Sequence, residues 1–206
     1  MTETRPSNLW DQRYAAEDYL FGDKPNAFLK RQKPRLLPGQ KVLAVADGEG
    51  RNGVWLAEQG MQVISLDGSP VGQGKARRLA EARGAHLKFE LADLTSWVFP
   101  ESAFDLVVAI FIQFAGPELR EHLFKEMKRA LKPGGLLLVE GYRPEQLAYR
   151  TGGPPIAENL YTEDMLRNLA SDFDILELTP YDAVIEEGTG HKGMSALIDL
   201  VARRPL

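Results

Sequence analysis

The stretch VLAVADGEGRNGVWLAEQGMQVISLD, residues 42–67, decides how this chain folds. It opens on an apolar run, passes through GEGRNG (48–53), continues with apolar residues at helical spacing and closes on QVISLD. A strand, a glycine turn, a helix and a second strand form the repeating unit of a parallel α/β sheet. GEGRNG fits the pattern G-x-G-x-x-G, whose glycines let backbone approach a ligand closely while the amides opening the next helix favour negative charge. By itself the pattern fits a dinucleotide or another adenosine-containing cofactor.

The residues around the stretch extend the reading. Asp67 ends the second strand, where an acid accepts hydrogen bonds from ribose hydroxyls; its structural alternative is a helix N-cap. Strands are expected at 41–46, 62–67, 86–93, 104–112 and 136–142, alternating with helices at 51–59, 70–84 and 117–135. That succession implies a parallel sheet covered on both faces. After TGGPP (151–155) the pattern changes to a helix near 162–171 and two strands, 173–186 and 194–204. The link EGTGHKG (187–193) is too short for a parallel crossover, so these two form an antiparallel hairpin. The fold class expected is α/β, a doubly wound, mostly parallel seven-stranded sheet ending in an antiparallel hairpin. One domain is expected over 1–206, with an N-terminal helical lid (1–37) and a Rossmann-like core (38–206).

Composition narrows the chemistry. The 206 residues are 44% apolar, enough for a core, and carry a formal net charge of −4. That charge gives no electrostatic case for nucleic acid, and the basic group KARR (75–78) reads as a solvated helix face. With no cysteine, disulfides, thiolate catalysis and cysteine-based zinc sites are excluded. His86, His122 and His191 are scattered, so no metal is expected. No run has the length of a membrane span or the pattern of a signal peptide, which points to the cytoplasm.

LAD (91–93), the Pro-Gly-Gly turn before LLLVEGY (136–142) and the terminal hairpin together resemble the class I S-adenosylmethionine-dependent methyltransferases. WDQRYAAEDYLFGDKPNAFL (10–29), ADGEGRNGVWLAEQG (46–60), LKPGGLLLVEGYRPEQLAYRTGGPP (131–155) and EGTGHKGMSALIDLV (187–201) are similar to a bacterial subgroup related to tellurite-resistance and thiol or thiopurine methyltransferases. Two positions depart from the class pattern: Ala44 replaces the usual acid of the first strand and Ala46 the usual first loop glycine.

The resemblance implies S-adenosyl-L-methionine as cofactor and S-adenosyl-L-homocysteine as product. Gly48 and Gly50 would lie beneath the methionine portion, and Asp47 or Glu49 would contact its amino group. Asp67, with Gly68 and Ser69, would hold the ribose, Asp93 and Leu94 would address adenine, and Ile110 and Phe111 would face the sulfonium. Trp10, Tyr14, Tyr19 and Phe21 would form a lid. Tyr142, Arg143 and Tyr149 lie beyond the fifth strand, where ligands bind in such sheets; Arg143 is a candidate to attract an anionic acceptor and His191 to orient or deprotonate it. The acceptor expected is a small soluble nucleophile, a thiol or chalcogen oxyanion, and the protein a monomer or weak dimer without nucleic-acid or membrane partners. The competing readings are a non-catalytic cofactor-binding module and an NAD-dependent oxidoreductase.

Overall fold

The computed structural model describes residues 6–206; the first five residues of the expected lid fall outside that range. The chain divides into two compact units, residues 1–97 with 187–190, and residues 98–186 with 191–206.

The first unit begins with α1 (Pro6–Arg13), α2 (Ala27–Arg31) and a 3-10 turn (Lys33–Arg35). Then come β1 (Lys41–Val45), α3 (Arg51–Glu58), β2 (Gln62–Asp67), α4 (Pro70–Ala82) and β3 (Lys88–Leu91). The strands lie in the order β3-β2-β1, and both pairings are parallel. Val42 to Val45 are buried, as a strand covered on both faces requires. Val54, Leu79 and Ala80 join α3 to α4 in one apolar cluster. α4 starts with Pro70 at its first position and Ser69 as N-cap, whose hydroxyl accepts from the Gly72 amide at 3.0 Å.

The second unit carries β4 (Phe104–Ile110), α5 (Pro117–Ala130), β5 (Leu131–Tyr142), α6 (Gln146–Tyr149), a 3-10 turn (Ala157–Asn159), α7 (Glu163–Leu169), β6 (Asp174–Glu187, whose last residue belongs to the first unit) and β7 (His191–Arg203). Here the order is β4-β5-β7-β6, with β4 and β5 parallel and β5 and β7 antiparallel. The expected architecture is therefore present: a parallel core of α/β units, a reversed C-terminal hairpin and seven strands in all. Among the described residues no helix is long and apolar enough to cross a membrane.

The largest departures from the sequence reading fall at three boundaries. α5 ends at Ala130 rather than 135, because Pro133 biases the residue before it toward extended backbone. β5 starts at Leu131, and Lys132 to Gly135 bulge out of register, since Phe104 pairs with Leu131 but Leu106 with Leu136. The hairpin link is Gly188–Gly190, not 187–193, so His191 opens β7. The reading of KARR as a solvated face also needs correction: Arg77 and Arg78 are exposed, but Lys75 is buried at 1% exposure.

Two strands of the parallel core end in a non-glycine residue with positive φ, Ala46 (51°) after β1 and Phe111 (56°) after β4. The left-handed region costs an L-residue about 1–2 kcal/mol. Ala46→Gly removes that strain and adds unfolded-chain entropy, so it is expected to raise unfolding free energy by about 0.5–1 kcal/mol. Urea titration measures this; a loss of stability would show that the Ala46 backbone is unstrained.

Candidate active site

The turn between β1 and α3 is shaped by two glycines. Gly48 (φ 56°) and Gly50 (φ 85°) are left-handed, and neither has room for a side chain. A Cβ at Gly48 would stand 2.6 Å from the Tyr14 hydroxyl, and one at Gly50 would stand 2.6 Å from Cβ of Ala76. The turn is pinned to β2 by Asp67. One carboxylate oxygen accepts from the Gly48 amide at 2.8 Å and the other from the Ser69 amide at 2.7 Å. Burial pushes the Asp67 carboxyl above its usual range, and these amides pull it back. The N-cap of α4 is Ser69 itself, which also donates from its hydroxyl to Asp11 of α1. Gly68 stands between them, and a Cβ there would lie 3.5 Å from the Ala92 carbonyl oxygen.

Asp47 and Glu49, the two candidates for the cofactor's amino group, are both committed to protein partners. Asp47 turns inward: it accepts from the Gly53 amide at 3.0 Å and from the Ser65 hydroxyl at 2.6 Å. Burial raises its pKa to about 7 against these two hydrogen bonds. Glu49 is buried and ion-paired with Lys75, and also accepts from the Phe21 amide at 3.4 Å. Arg51 and Asn52, at the start of α3, are buried clamps. Arg51 pairs with Glu187 at 2.7 Å and donates to the Phe21 carbonyl at 3.2 Å; Asn52 accepts from the Asn26 amide at 2.9 Å.

Of the aromatic residues proposed as a lid, Trp10, Tyr14 and Phe21 pack together beside this turn, while Tyr19 packs against the cluster between α3 and α4. Trp10 stacks on Tyr14 with ring centroids 5.5 Å apart, and Phe21 meets Tyr14 edge-on at 6.4 Å. The Arg13 guanidinium lies 4.4 Å from the Trp10 ring. The Tyr14 ring is buried, and burial together with the Asp67 and Glu49 carboxylates holds its pKa well above the ordinary phenol value. Its hydroxyl is thus a permanent donor beside Gly48. The Tyr19 hydroxyl donates to the Lys75 carbonyl at 3.1 Å.

At the end of β3, Asp93 is exposed and accepts from the amide and hydroxyl of Thr95 at 2.9 and 2.8 Å. That is a turn-capping arrangement, and it leaves carboxylate lone pairs for a further donor. Leu94 is buried beside it.

The remaining candidates belong to the second unit. Ile110 is buried at the end of β4, and Phe111 follows it. Phe111, Tyr142 and His191 form an aromatic group: Phe111 lies 4.7 Å from Tyr142 and 4.4 Å from His191, and Tyr142 lies 5.5 Å from His191. His191 is buried and opens β7, although the sequence reading placed it in the hairpin link. Leu160, Ile185 and Leu197 pack against Tyr142. Arg143 is held down: it donates to the Leu197 carbonyl at 3.0 Å, ion-pairs with Asp182 and lies 3.5 Å from Glu145. Tyr149 donates to the same Asp182 at 2.8 Å. Sequence reasoning missed Asp182, Lys75, Asp11 and Glu187. Their partners lie 39, 26, 58 and 136 residues away, and no local spacing signals them.

These features define the fold shared by S-adenosylmethionine-dependent methyltransferases. The profile of a methyltransferase domain matches residues 42–135. An uncharacterized methyltransferase of Synechocystis is 34% identical over 122 residues, 58% of this chain and 54% of that protein. The demethylmenaquinone methyltransferase of Thermus thermophilus is 36% identical over 107 residues, 51% and 48% of the two. The chain thus spans about half the length of the curated relatives it matches. Among solved structures, TehB from Haemophilus influenzae has TM-score 0.71 at 18% identity, covering 96% of this chain and 66% of that one. The N-methyltransferase NodS from Bradyrhizobium japonicum, solved with S-adenosyl-L-homocysteine, also has TM-score 0.71, at 16% identity with coverage of 97% and 98%. These structural likenesses show the fold.

The inward turn of Asp47 has a pH consequence. Its folded pKa, about 7, lies above the ordinary carboxylate value of about 3.9. Between about pH 4 and 7 the native protein keeps a proton that the unfolded chain has released, so this group's contribution to stability falls as pH rises through that window. Asp47→Asn is expected to flatten this slope and leave the fold intact. Asp47→Ala strands the Gly53 amide and the Ser65 hydroxyl and is expected to cost about 1–3 kcal/mol. Denaturant titration of both variants at pH 5 and pH 8 measures this; an Asn variant with the native slope would remove Asp47 as its source.

Proposed function

We propose that this protein transfers the methyl group of S-adenosyl-L-methionine to a small soluble acceptor, a thiol for preference, and releases S-adenosyl-L-homocysteine. The observation that carries the reading is the charge of the β1–α3 turn. Asp67 and Glu49 act electrostatically on the Tyr14 phenol beside Gly48, Asp47 adds to them only as it ionises near pH 7, and Asp11 stands at Ser69. Lys75, Arg13 and Arg51, the last already paired with Glu187, balance only part of that charge. A cationic cofactor suits such a cradle, whereas a pyrophosphate would meet like charge. This favours the sulfonium cofactor over the nicotinamide reading.

The residues present fit that cofactor. Asp67 retains lone pairs for ribose hydroxyls beside the two amides it already holds. The left-handed backbone of Gly48 and Gly50 allows close approach, and Tyr14 offers a neutral donor to a carboxylate. Bound S-adenosylmethionine supplies an electrophilic methyl group, taken by the acceptor in an in-line displacement. The chain's share is alignment and exclusion of water, and alignment of this kind is worth up to roughly 7–11 kcal/mol.

The acceptor proposal rests on the second unit. The aromatic group Phe111, Tyr142 and His191 offers an apolar face with one imidazole. Arg143, the candidate for attracting an oxyanion, is already neutralised by Asp182. That counts against tellurite-like anions and for a thiol, whose weak charge asks for no guanidinium. His191 is the group proposed to orient it. Relatives named for demethylmenaquinone, sterol and phosphoethanolamine are matched over part of their length. The matching domain profile ends at residue 135, before Tyr142, Arg143, Tyr149 and His191. Their acceptors therefore carry no weight here. The setting proposed is the cytoplasm.

Calorimetry with S-adenosylmethionine, S-adenosylhomocysteine and NAD tests the cofactor. Uptake of the first two and not the third is expected. Asp67→Ala is expected to weaken uptake about 10- to 100-fold, the value of charge-assisted hydrogen bonds worth about 1.5–3 kcal/mol. Indifference to S-adenosylmethionine, or native affinity in the variant, sinks the reading. Turnover compared across thiols, tellurite and selenite tests the acceptor, with thiols expected to lead.

A further inference from the structure

Lys75 is a feature of α4 that helix formation and core packing leave unexplained. It is 1% exposed, and an ammonium buried to that degree persists only when paired and hydrogen-bonded. Its partners come from two places. One is Glu49, the residue between Gly48 and Gly50, with which it forms an ion pair. The others are main-chain carbonyls just after α1: Ala16 at 2.9 Å, Asp18 at 2.6 Å and, at the limit of a hydrogen bond, Tyr14 at 3.5 Å. The Tyr19 ring lies 5.1 Å from the same ammonium. Glu49 in turn reaches the Phe21 amide with its second oxygen.

Residues 14–21 thus fold around a single charge. They form no helix or strand, so their carbonyls lack the partners that regular structure would supply. Lys75 supplies them for Ala16, Asp18 and, at the limit, Tyr14. The same contacts fix where the Tyr14 ring stands, and its hydroxyl is the atom that closes over Gly48.

We propose that Lys75 is a positioning residue, a latch that fastens segment 14–21 to the glycine turn through Glu49 and holds the Tyr14 hydroxyl over Gly48, so that a bound cofactor is retained. Lys75 acts through Tyr14 and Glu49, with its donors already engaged by protein. The inference rests on the cofactor reading above for what is retained, while the latch itself can be read without any ligand.

The chain has no cysteine, so Lys75→Cys creates a unique thiol that bromoethylamine converts to a close mimic of lysine. Amide hydrogen exchange is followed on the full chain at residues 14–22, with 104–110 as internal reference, and S-adenosylmethionine dissociation is followed alongside. In Lys75→Cys, exchange at 14–22 is expected to accelerate at least tenfold with 104–110 unchanged, and the cofactor to leave about tenfold faster. Aminoethylation is expected to restore both. Native exchange at 14–22 in the cysteine variant, or no recovery after aminoethylation, overturns the latch. If the cysteine variant fails to fold, Glu49→Gln serves: a several-fold acceleration at 14–22 supports the latch, and native exchange there overturns it. A native chain with 14–22 protected but no uptake of S-adenosylmethionine defeats the function proposed above and leaves the latch standing.

Discussion

A single buried carboxylate organises the turn after β1 and the start of α4. Asp67 closes β2 and accepts from the amides of Gly48 and Ser69, so the turn after β1 and the start of α4 are both set by one side chain. Burial alone would favour its neutral form; the amides favour its charge. The balance can hold only while both loops keep their shape. The left-handed glycines, the Ser69 cap and the contact of α1 through Asp11 are therefore parts of one arrangement. Losing Asp67 removes a proposed ligand group and frees two backbone amides together.

The N-terminal segment is built on the same plan, with charges directed inward. Lys75 and Arg51 would be exposed on an ordinary helix. Here Lys75 gathers the carbonyls after α1, and Arg51 holds the Phe21 carbonyl and Glu187. Glu187 also accepts from Asn26 and from the Ala27 amide, both at 3.2 Å. Residues 187–190 thereby fasten onto residues 20–27, and the Gly190 amide donates to the Leu20 carbonyl at 2.8 Å. A segment with little regular structure keeps one conformation because buried charges answer its polar backbone. Apolar packing alone would specify it less sharply, since a greasy contact tolerates sliding and a buried charge does not.

The sequence revealed the order of elements well, because buried parallel strands read as short apolar runs and glycine or proline marks their ends. β1, β2 and β4 fall close to their expected positions for that reason. β7 was misjudged at its start, since His191, Lys192 and Gly193 have the composition of a turn while pairing within a strand. The candidate site was legible as positions and illegible as directions. Asp47 stands in the glycine turn, yet its side chain points to Ser65 and Gly53. Arg143 lies beyond β5 as expected, yet Asp182, 39 residues on, claims its charge. Lys75 reads as one of several surface cations until its long-range partners are known. Ala46 was visible as a departure from the glycine pattern, but only the backbone reveals that the left-handed conformation survives without the glycine.

That survival bears on how the turn discriminates among ligands. If the loop kept its shape only through glycine flexibility, it would be free to adapt to a pyrophosphate or a carboxylate alike. Instead Ala46 holds a strained φ, the Asp47 amide donates to the Leu66 carbonyl at 3.1 Å, and the Gly48 amide is taken by Asp67. The Asp47, Gly48 and Gly50 amides are thus engaged by protein acceptors, the last by the Asp47 carbonyl at 2.9 Å, and withdrawn from any anion, while acids near Tyr14 still carry negative charge. A glycine pattern normally read as a phosphate cradle has part of its donors engaged by protein and has acids folded against it. On the function proposed here, that arrangement selects a ligand whose charge near the loop is positive on balance and leaves the neutral Tyr14 hydroxyl as a donor for its carboxylate. The same six-residue pattern can serve opposite charges, and the acids that fold against it decide which.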